Sequence, residues 1–153
     1  FAEPMLRRGL GKTAGLPVRP LVADVLRLPL PDGAGAGAMV AFGVRNFADI
    51  DAGLGEITRV LARGARLVIL ECSEPPNAVV GAFYHLYFRR ILPVIGRLVS
   101  GHRTAYKYLP ASVANFPRAD DLAARMRAAG LVHVGYRHLA LGTAAIHWGE
   151  RAR

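Results

Sequence analysis

The sequence contains a single cysteine and only two lysines, and these scarcities exclude several kinds of site. With Cys72 alone among 153 residues, neither a disulfide framework within the chain nor a paired-cysteine metal site can form. The Gly-x-Gly-x-x-Gly and P-loop patterns are also missing. Five histidines are present but never pair at ligand spacing, so we expect no metal site. The low cysteine content fits a reducing compartment, and we expect a cytoplasmic protein.

The charge is strongly positive and is carried almost wholly by arginine. The formal net charge is +9, and Lys12 and Lys107 are the two lysines among 20 basic residues. This charge indicates either attraction to an anionic partner or a compositional bias without function. Aromatic residues do not interleave with the arginines as they do where bases stack, so we expect no nucleic-acid partner. A peripheral contact with the inner face of the cell membrane stays a prediction.

Apolar runs separated by a helical pattern indicate an α/β domain. Residues 38–42 form a continuous apolar run, typical of a strand buried on both faces. Asp49 is a predicted helix N-cap, and Gly64 marks the predicted end of that helix. Residues 66–70 form a second predicted strand that ends at Glu71. A strand, a helix and a strand in this order predict a parallel sheet with right-handed crossovers.

The middle of the chain is apolar and aromatic over residues 78–99. A membrane span is a poor interpretation because Arg89 and Arg90 lie within this run. A helix that lines an apolar pocket or lies on a membrane surface fits better. Further elements are expected as helices at residues 3–10, 104–115 and 120–130 and as strands at 131–139 and 142–148.

Polar residues follow the predicted strands, at the edge where doubly wound sheets bind ligands. We place the strand ends at residues 24–25, 42–46 and 71–73, which would gather an acid, an Arg-Asn pair and a Glu-Cys-Ser cluster on one rim. A functional Arg45 is favoured over a structural loop arginine by its position. Cys72 is interpreted as a small buried residue, because no Cys-His arrangement accompanies it.

Several short segments, spread in order along the chain, follow the pattern of one enzyme family. Residues 28–32 (LPLPD) and 41–46 (AFGVRN) match its "LPFPD … FGLRN", and residues 56–67 match an "E-x-x-RVLKPGGRL" passage common to class I methyltransferases. Further matches are residues 70–75 to "LEFSxP", 92–96 to "LPxIG", 106–112 to "YxYLxES" and 142–149 to "GxxAxHxG". The chain thus resembles the ubiquinone/menaquinone biosynthesis C-methyltransferase family.

This resemblance implies a fold and a reaction. The fold is a Rossmann-like class I methyltransferase α/β sheet, mostly parallel, with an antiparallel C-terminal strand and a helical substrate cap inserted at about residues 77–117. Residues 1–153 would form a single partial domain, truncated at the N-terminus and inactive alone, because the family's Gly-rich loop and ribose-binding acid would lie upstream. The implied reaction is methyl transfer from S-adenosyl-L-methionine to a ring carbon of a polyprenyl quinol.

The resemblance also assigns roles to individual residues. It places Asp24, Val25 and Ala41 at the cofactor, Arg45 and Asn46 at the substrate ring, and Tyr84, Tyr87, Tyr106 and Tyr108 in the cap over the quinol. Arg45 would act electrostatically, because an arginine stays protonated and is a poor general base.

Two other functions stay open at this point. One is a methyltransferase that acts on another lipid or small aromatic molecule. The other is a non-catalytic remnant that packs against a partner or a membrane. An exposed sheet edge, expected where strands are missing, could pair with a second copy, so a homodimer is also a prediction.

Overall fold

The computed structural model describes residues 3–86, 113 and 116–153. The described elements are a four-stranded sheet, four α-helices and three short 3₁₀ turns. The helices are α1 Glu3–Gly9, α2 Ile50–Val60, α3 Ala78–Leu86 and α4 Ala119–Ala128. The strands are β1 Gly35–Ala41, β2 Leu61–Cys72, β3 Leu131–Leu139 and β4 Ala144–Arg151. The 3₁₀ turns are Leu10–Lys12, Val44–Asn46 and Ala140–Gly142.

The sheet has the strand order β1-β2-β4-β3. β1 and β2 pair in parallel, and β4 pairs antiparallel with both β2 and β3. Three strands therefore point in one direction, and the C-terminal strand points in the other, which confirms the expected sheet. Because Ala41 pairs with Leu70, the carboxyl ends of β1 and β2 lie side by side at one edge of the sheet.

Helix α2 begins as its sequence predicts. The Asp49 side chain accepts a hydrogen bond from the Ala52 N–H at 3.0 Å, which satisfies one of the unpaired donors of the first turn. The end of the helix was predicted wrongly. The helix ends at Val60, and Gly64 lies within β2 at φ +76°, beside a register shift between Gly35 and Gly37 of β1. The strand is irregular at this point and requires a left-handed backbone, which glycine adopts without steric cost.

The hydrophobic core lies between the sheet and helices α2 and α4, which also contact each other. Its fully buried members alternate along β2 and recur at helical spacing on the two helices. They include Leu54, Leu67, Ile69, Leu122 and Met126. Burial of each such side chain contributes roughly 1.5–3 kcal/mol, so this layer holds the strand ends in place.

The predicted double burial of β1 is wrong. Met39 is 79% exposed and Ala41 is also exposed. β1 is the edge strand of the described sheet, and the strand begins at Gly35, inside the Gly-Ala stretch. The apolar run therefore predicts the strand correctly, but it does not predict how many neighbouring elements cover the strand.

The run at residues 21–25 is not a strand in the described structure. Asp24 instead forms an isolated bridge with Arg27, and its Oδ1 accepts a hydrogen bond from the Leu26 N–H at 3.0 Å. Such a local side-chain bond stabilises a turn rather than an extended ladder. The expected strand end at residues 24–25 is therefore corrected to a turn.

Most of the predicted cap at residues 77–117 lies outside the described residues, as does the helix expected at 104–115 apart from Val113. Within the described part, α3 begins the cap, and Asn77 caps it by accepting from the Val79 N–H at 2.9 Å. Among the helices described, none is both long and apolar enough to cross a membrane. The described residues contain no group of three or more His, Cys, Asp or Glu that could hold a metal ion.

Candidate active site

Arg45 and Glu71 form an ion pair where β1 and β2 end. The Arg45 Nη1 donates to the Glu71 Oε1, and the Arg45 backbone N–H donates to the Oε2 at 3.3 Å. The side chains of Arg45 and Glu71 are only 13% and 1% exposed. The sequence predicts these two residues on one rim, and in the structure they are in direct contact.

The backbone at Phe42 directs the chain toward this pair. Phe42 donates its N–H to the Leu70 carbonyl at 2.8 Å and then turns with φ +54°, a left-handed conformation that costs a non-glycine residue roughly 1–3 kcal/mol. The 3₁₀ turn Val44–Asn46 follows at once. The buried Val44 anchors this turn in the core, and this contact fixes the position of the Arg45 backbone.

Glu71 is fully buried, and a buried carboxylate requires donors. The Glu71 carboxylate has three donors. Its Oε1 accepts from the Cys72 N–H at 3.0 Å, and the other two donors are the backbone N–H and the Nη1 of Arg45. Removal of one partner of such a buried pair typically costs about 3–5 kcal/mol, because the other charge stays buried and uncompensated. The turn that carries Arg45 is thereby fastened to the end of β2.

The Arg45 guanidinium contacts both a carboxylate and an aromatic ring. Its Cζ is 5.9 Å from the centre of the Phe42 ring. Its Nε is buried and has no hydrogen-bond partner within the described part of the chain. A guanidinium held in this way keeps one orientation, which is the property that an electrostatic role requires.

Cys72, next to Glu71 in the chain, and Tyr84, near Cys72, remain protonated at neutral pH. Burial raises the pKa of the Cys72 thiol, and the Glu71 charge acts in the same direction. Burial likewise raises the pKa of Tyr84 to about 12, with smaller contributions from Cys72 and Glu74. Cys72 is therefore not an activated nucleophile. It is half-buried in the structure, not fully buried as the sequence predicted. Tyr84, on α3, stays a neutral phenol that can donate a hydrogen bond.

The other predicted site residues divide into three groups. Ala41 and Asn46 lie at the same strand end as Arg45, and both are exposed. Asp24 is exposed in its own turn, while Val25 is half-buried and lines a largely apolar cavity of about 310 Å³ between β1 and α2. The remaining three, Tyr87, Tyr106 and Tyr108, lie outside the described residues.

Two features of the site were not assigned from the sequence. The sequence places Glu71 on the rim but assigns it no role. An acid at the end of a buried apolar strand nevertheless indicates an ion pair, because a buried carboxylate needs a cationic partner. The left-handed backbone of Phe42 has no signal in the sequence, since the residue type disfavours that conformation.

Solved structures similar to this chain identify the fold. A SAM-dependent methyltransferase from Thermotoga maritima has a TM-score of 0.59 at 16% identity, with 86% of this chain and 62% of that chain covered. Another from Aquifex aeolicus has a TM-score of 0.58 at 16% identity, with 94% and 60% covered. The [4+2]-cyclase SpnF has a TM-score of 0.66 at 17% identity, with 95% and 61% covered. The chain therefore has the α/β fold of class I S-adenosylmethionine-dependent methyltransferases, and a fold alone does not define a reaction.

Sequence relatives identify the family. The model of the ubiE/COQ5 methyltransferase family matches residues 1–151, and the chain belongs to this family. A demethylmenaquinone methyltransferase from Thermus thermophilus is 52% identical over 153 residues, which are 99% of this chain and 69% of the relative. A ubiquinone/menaquinone biosynthesis C-methyltransferase from Geobacter sulfurreducens is 40% identical over 155 residues, which are 99% and 60%. A Deinococcus radiodurans demethylmenaquinone methyltransferase is 48% identical over 128 residues, with 84% and 53% covered. The chain thus spans between about half and two-thirds of the length of these relatives.

Proposed function

We propose that the protein transfers a methyl group from S-adenosyl-L-methionine to a ring carbon of a polyprenyl quinol, either demethylmenaquinol or the equivalent ubiquinone precursor. The observation that carries this proposal is the 52% identity, across nearly the whole chain, to an enzyme named demethylmenaquinone methyltransferase. The ion-paired Arg45 at the carboxyl edge of the sheet supports it, because this edge is where such folds bind ligands.

The proposed chemistry gives Arg45 an electrostatic task. A quinol ring carbon becomes nucleophilic as a neighbouring phenolic oxygen loses its proton, and a fixed guanidinium stabilises the negative charge that develops there. The phenolic proton passes to water, the ring carbon takes the methyl group, and the electron pair of the broken carbon–sulfur bond remains on sulfur. Loss of the ring proton to water restores the aromatic ring, and the phenolic oxygen regains a proton, so the net reaction releases one proton. Arg45 does not accept this proton, because its guanidinium stays charged.

Ala41 at the end of β1, together with Asp24 and Val25 in the turn before it, fits part of the cofactor. S-adenosyl-L-methionine, when bound, would supply a methyl group on a positively charged sulfur. Ala41 is a small exposed residue that permits close approach of a ligand, and the exposed carboxylate of Asp24 can accept hydrogen bonds from an amino group. Val25 adds an apolar surface beside it. These three residues are proposed to hold the adenosine moiety.

The proposed substrate has an isoprenoid tail, and α3 offers an apolar face. Val79, Phe83 and Leu86 are spaced at helical intervals and are 66%, 70% and 51% exposed. Together with the net charge of +9, this face supports a proposal that α3 contacts an anionic membrane surface from which the quinol enters. Tyr84, on the same helix, is proposed to donate a hydrogen bond to a quinol oxygen. Tyr87, Tyr106 and Tyr108 are proposed to complete the cap.

The function is tested with the full-length protein as its gene encodes it. The protein is incubated with S-adenosyl-L-methionine that carries a deuterated methyl group, and products are separated by liquid chromatography with mass detection. Demethylmenaquinol, the demethylated ubiquinone precursor and an unrelated phenolic lipid are supplied in parallel. Label on a ring carbon of one quinol is the expected result. Label on the phenolic lipid alone would favour the alternative substrate class, and no label on any acceptor would favour a non-catalytic remnant.

A further inference from the structure

Three N–H groups converge on the buried carboxylate of Glu71, and two of them belong to Arg45. The carboxylate therefore holds the guanidinium in position and compensates its positive charge. The ion pair as a whole is neutral. Without the Glu71 carboxylate, the Arg45 guanidinium would leave one uncompensated positive charge at the rim. This cancellation matters because the proposed methyl donor is itself a cation.

We propose that Glu71 is a positioning residue that lets Arg45 share the rim with a positively charged methyl donor. By holding and neutralising the guanidinium, Glu71 presents the cationic sulfur of S-adenosyl-L-methionine with a surface of no net charge. The inference rests on the proposed function, since only a cationic donor makes the charge of the rim important. Glu71 itself contacts neither substrate nor donor and acts through Arg45.

Burial explains why water cannot replace Glu71 in this role. The Arg45 side chain is 13% exposed, so solvent screens its charge only weakly. Its Nε–H is buried and finds no acceptor among the described residues. The guanidinium is therefore held by the Glu71 carboxylate and also contacts the Phe42 ring. Loss of the carboxylate would leave an uncompensated cation beside a second cation, which disfavours binding of the second.

A comparison of two ligands measures this effect directly. S-adenosylhomocysteine shares the adenosine and amino-acid parts of the donor but has an uncharged sulfur. Dissociation constants for both ligands are measured by calorimetry with the full-length protein and with Glu71→Gln. We expect Glu71→Gln to weaken binding of the donor relative to S-adenosylhomocysteine by roughly five- to twentyfold, the scale of one uncompensated unit charge in a partly screened site. An equal loss for both ligands, or no loss for either, would overturn the inference.

The matched control is Glu150→Gln, which removes the same carboxylate from an exposed pair on the same sheet. Glu150 binds Arg66 at 2.7 Å, and the two side chains are 31% and 62% exposed. We expect the ratio of the two dissociation constants to stay unchanged in this variant. A change equal to that of Glu71→Gln would show that any loss of negative charge suffices, and would overturn the specific role of Glu71.

A second variant covers the case in which Glu71→Gln does not fold. Arg45→Met leaves the carboxylate without its cation, so the ratio is expected to shift in the opposite direction, toward the charged donor. No shift of the ratio in this variant would overturn the inference. Failure of the unmodified protein to bind either ligand would contradict the proposed function itself, whereas binding of both without a charge effect would contradict only the role of Glu71.

Discussion

Arg59 and Glu56 lie one turn apart on α2, and Arg59 donates from Nη2 to Glu56 Oε1 at 2.7 Å and from Nε to Oε2 at 2.8 Å. Glu56 also accepts the Leu28 N–H at 2.7 Å, and Arg59 donates to the Leu30 carbonyl at 2.9 Å. The two side chains thus tie the loop before β1 to the helix after it. Since β1 leads directly to Arg45, this tie also supports the rim.

The Glu56–Arg59 contact predicts an acid-labile contribution to stability. The hydrogen bond from Arg59, aided by the Leu28 N–H, lowers the pKa of Glu56 from 4.5 to about 2. A lowered folded-state pKa gives stability that is fully present above pH 4.5 and is lost as pH falls toward about 2. We expect Arg59→Ala to lower the urea midpoint at pH 6 and to flatten its decline across this window. Arg125→Ala, which breaks an exposed pair with Asp51, should leave the decline unchanged.

Two glycines of α2 provide a matched pair for packing. A Cβ on Gly53 would lie 2.6 Å from the Phe47 ring, whereas a Cβ on Gly55 would meet nothing within 4 Å. Gly55→Ala is expected to stabilise the protein by about 0.5–1 kcal/mol through helix propensity. Gly53→Ala is expected to destabilise it by about 1–3 kcal/mol through overpacking. Equal midpoints for the two variants in urea denaturation would contradict the close approach of Phe47.

The sequence predicted the sheet and the rim because both follow from local chemistry. The run at residues 66–70 closes with Glu71, and its parallel neighbour closes shortly before Arg45, so the carboxyl ends had to meet once the strands paired. Asp49 could be recognised as a cap from its own side chain. Such features depend on a few residues that are close in the sequence, so the sequence pattern is enough to predict them.

Features that depend on distant partners were not predictable in this way. The exposure of Met39 follows from the position of β1 at the sheet edge, and an apolar run cannot report how many neighbours a strand has. The turn at Asp24 competes with a strand through one side-chain bond to the Leu26 N–H. The strained backbone of Phe42 opposes its own residue preference, so tertiary contacts alone specify it.

Arg45 is expected to matter for turnover in the full-length protein. We predict that Arg45→Ala lowers kcat for quinol methylation by roughly 10²–10³-fold, the usual effect of removing one preorganised electrostatic group. Arg45→Lys keeps the charge but not the planar fork, so it should restore only part of the rate. Steady-state kinetics with labelled donor measure both, and a thermal melt of each variant identifies loss of folding. Normal turnover by a folded Arg45→Ala variant would contradict the role given to Arg45.

A buried histidine links the C-terminal strand to α4. His147, on β4, is 2% exposed, and its Nε2 lies 2.9 Å from the Ala119 carbonyl. Because a carbonyl only accepts, Nε2 must carry the proton, which leaves Nδ1 as an unprotonated buried atom with no partner among the described residues. The ring also stacks on Tyr136, with 5.3 Å between centroids. A second proton would place a charge in this apolar contact without an acceptor.

This arrangement predicts a loss of stability in mild acid. Burial, the largest cause, lowers the pKa of His147 below its ordinary 6.5, so the unfolded chain binds the proton more readily than the folded chain. The contribution of neutral His147 is therefore fully present above pH 6.5 and declines as pH falls below it, with a slope of up to about 1.4 kcal/mol per pH unit. His147→Gln retains an amide that can donate to Ala119 but does not titrate, so it should flatten this decline in urea denaturation between about pH 7 and about pH 5. The control is His133→Asn, which replaces an exposed histidine by a residue that tolerates the left-handed backbone at this position. This variant should retain the decline in stability. If the His147→Gln profile kept the full slope, the acid sensitivity would have to arise from another group, and the buried neutral state of His147 would be contradicted.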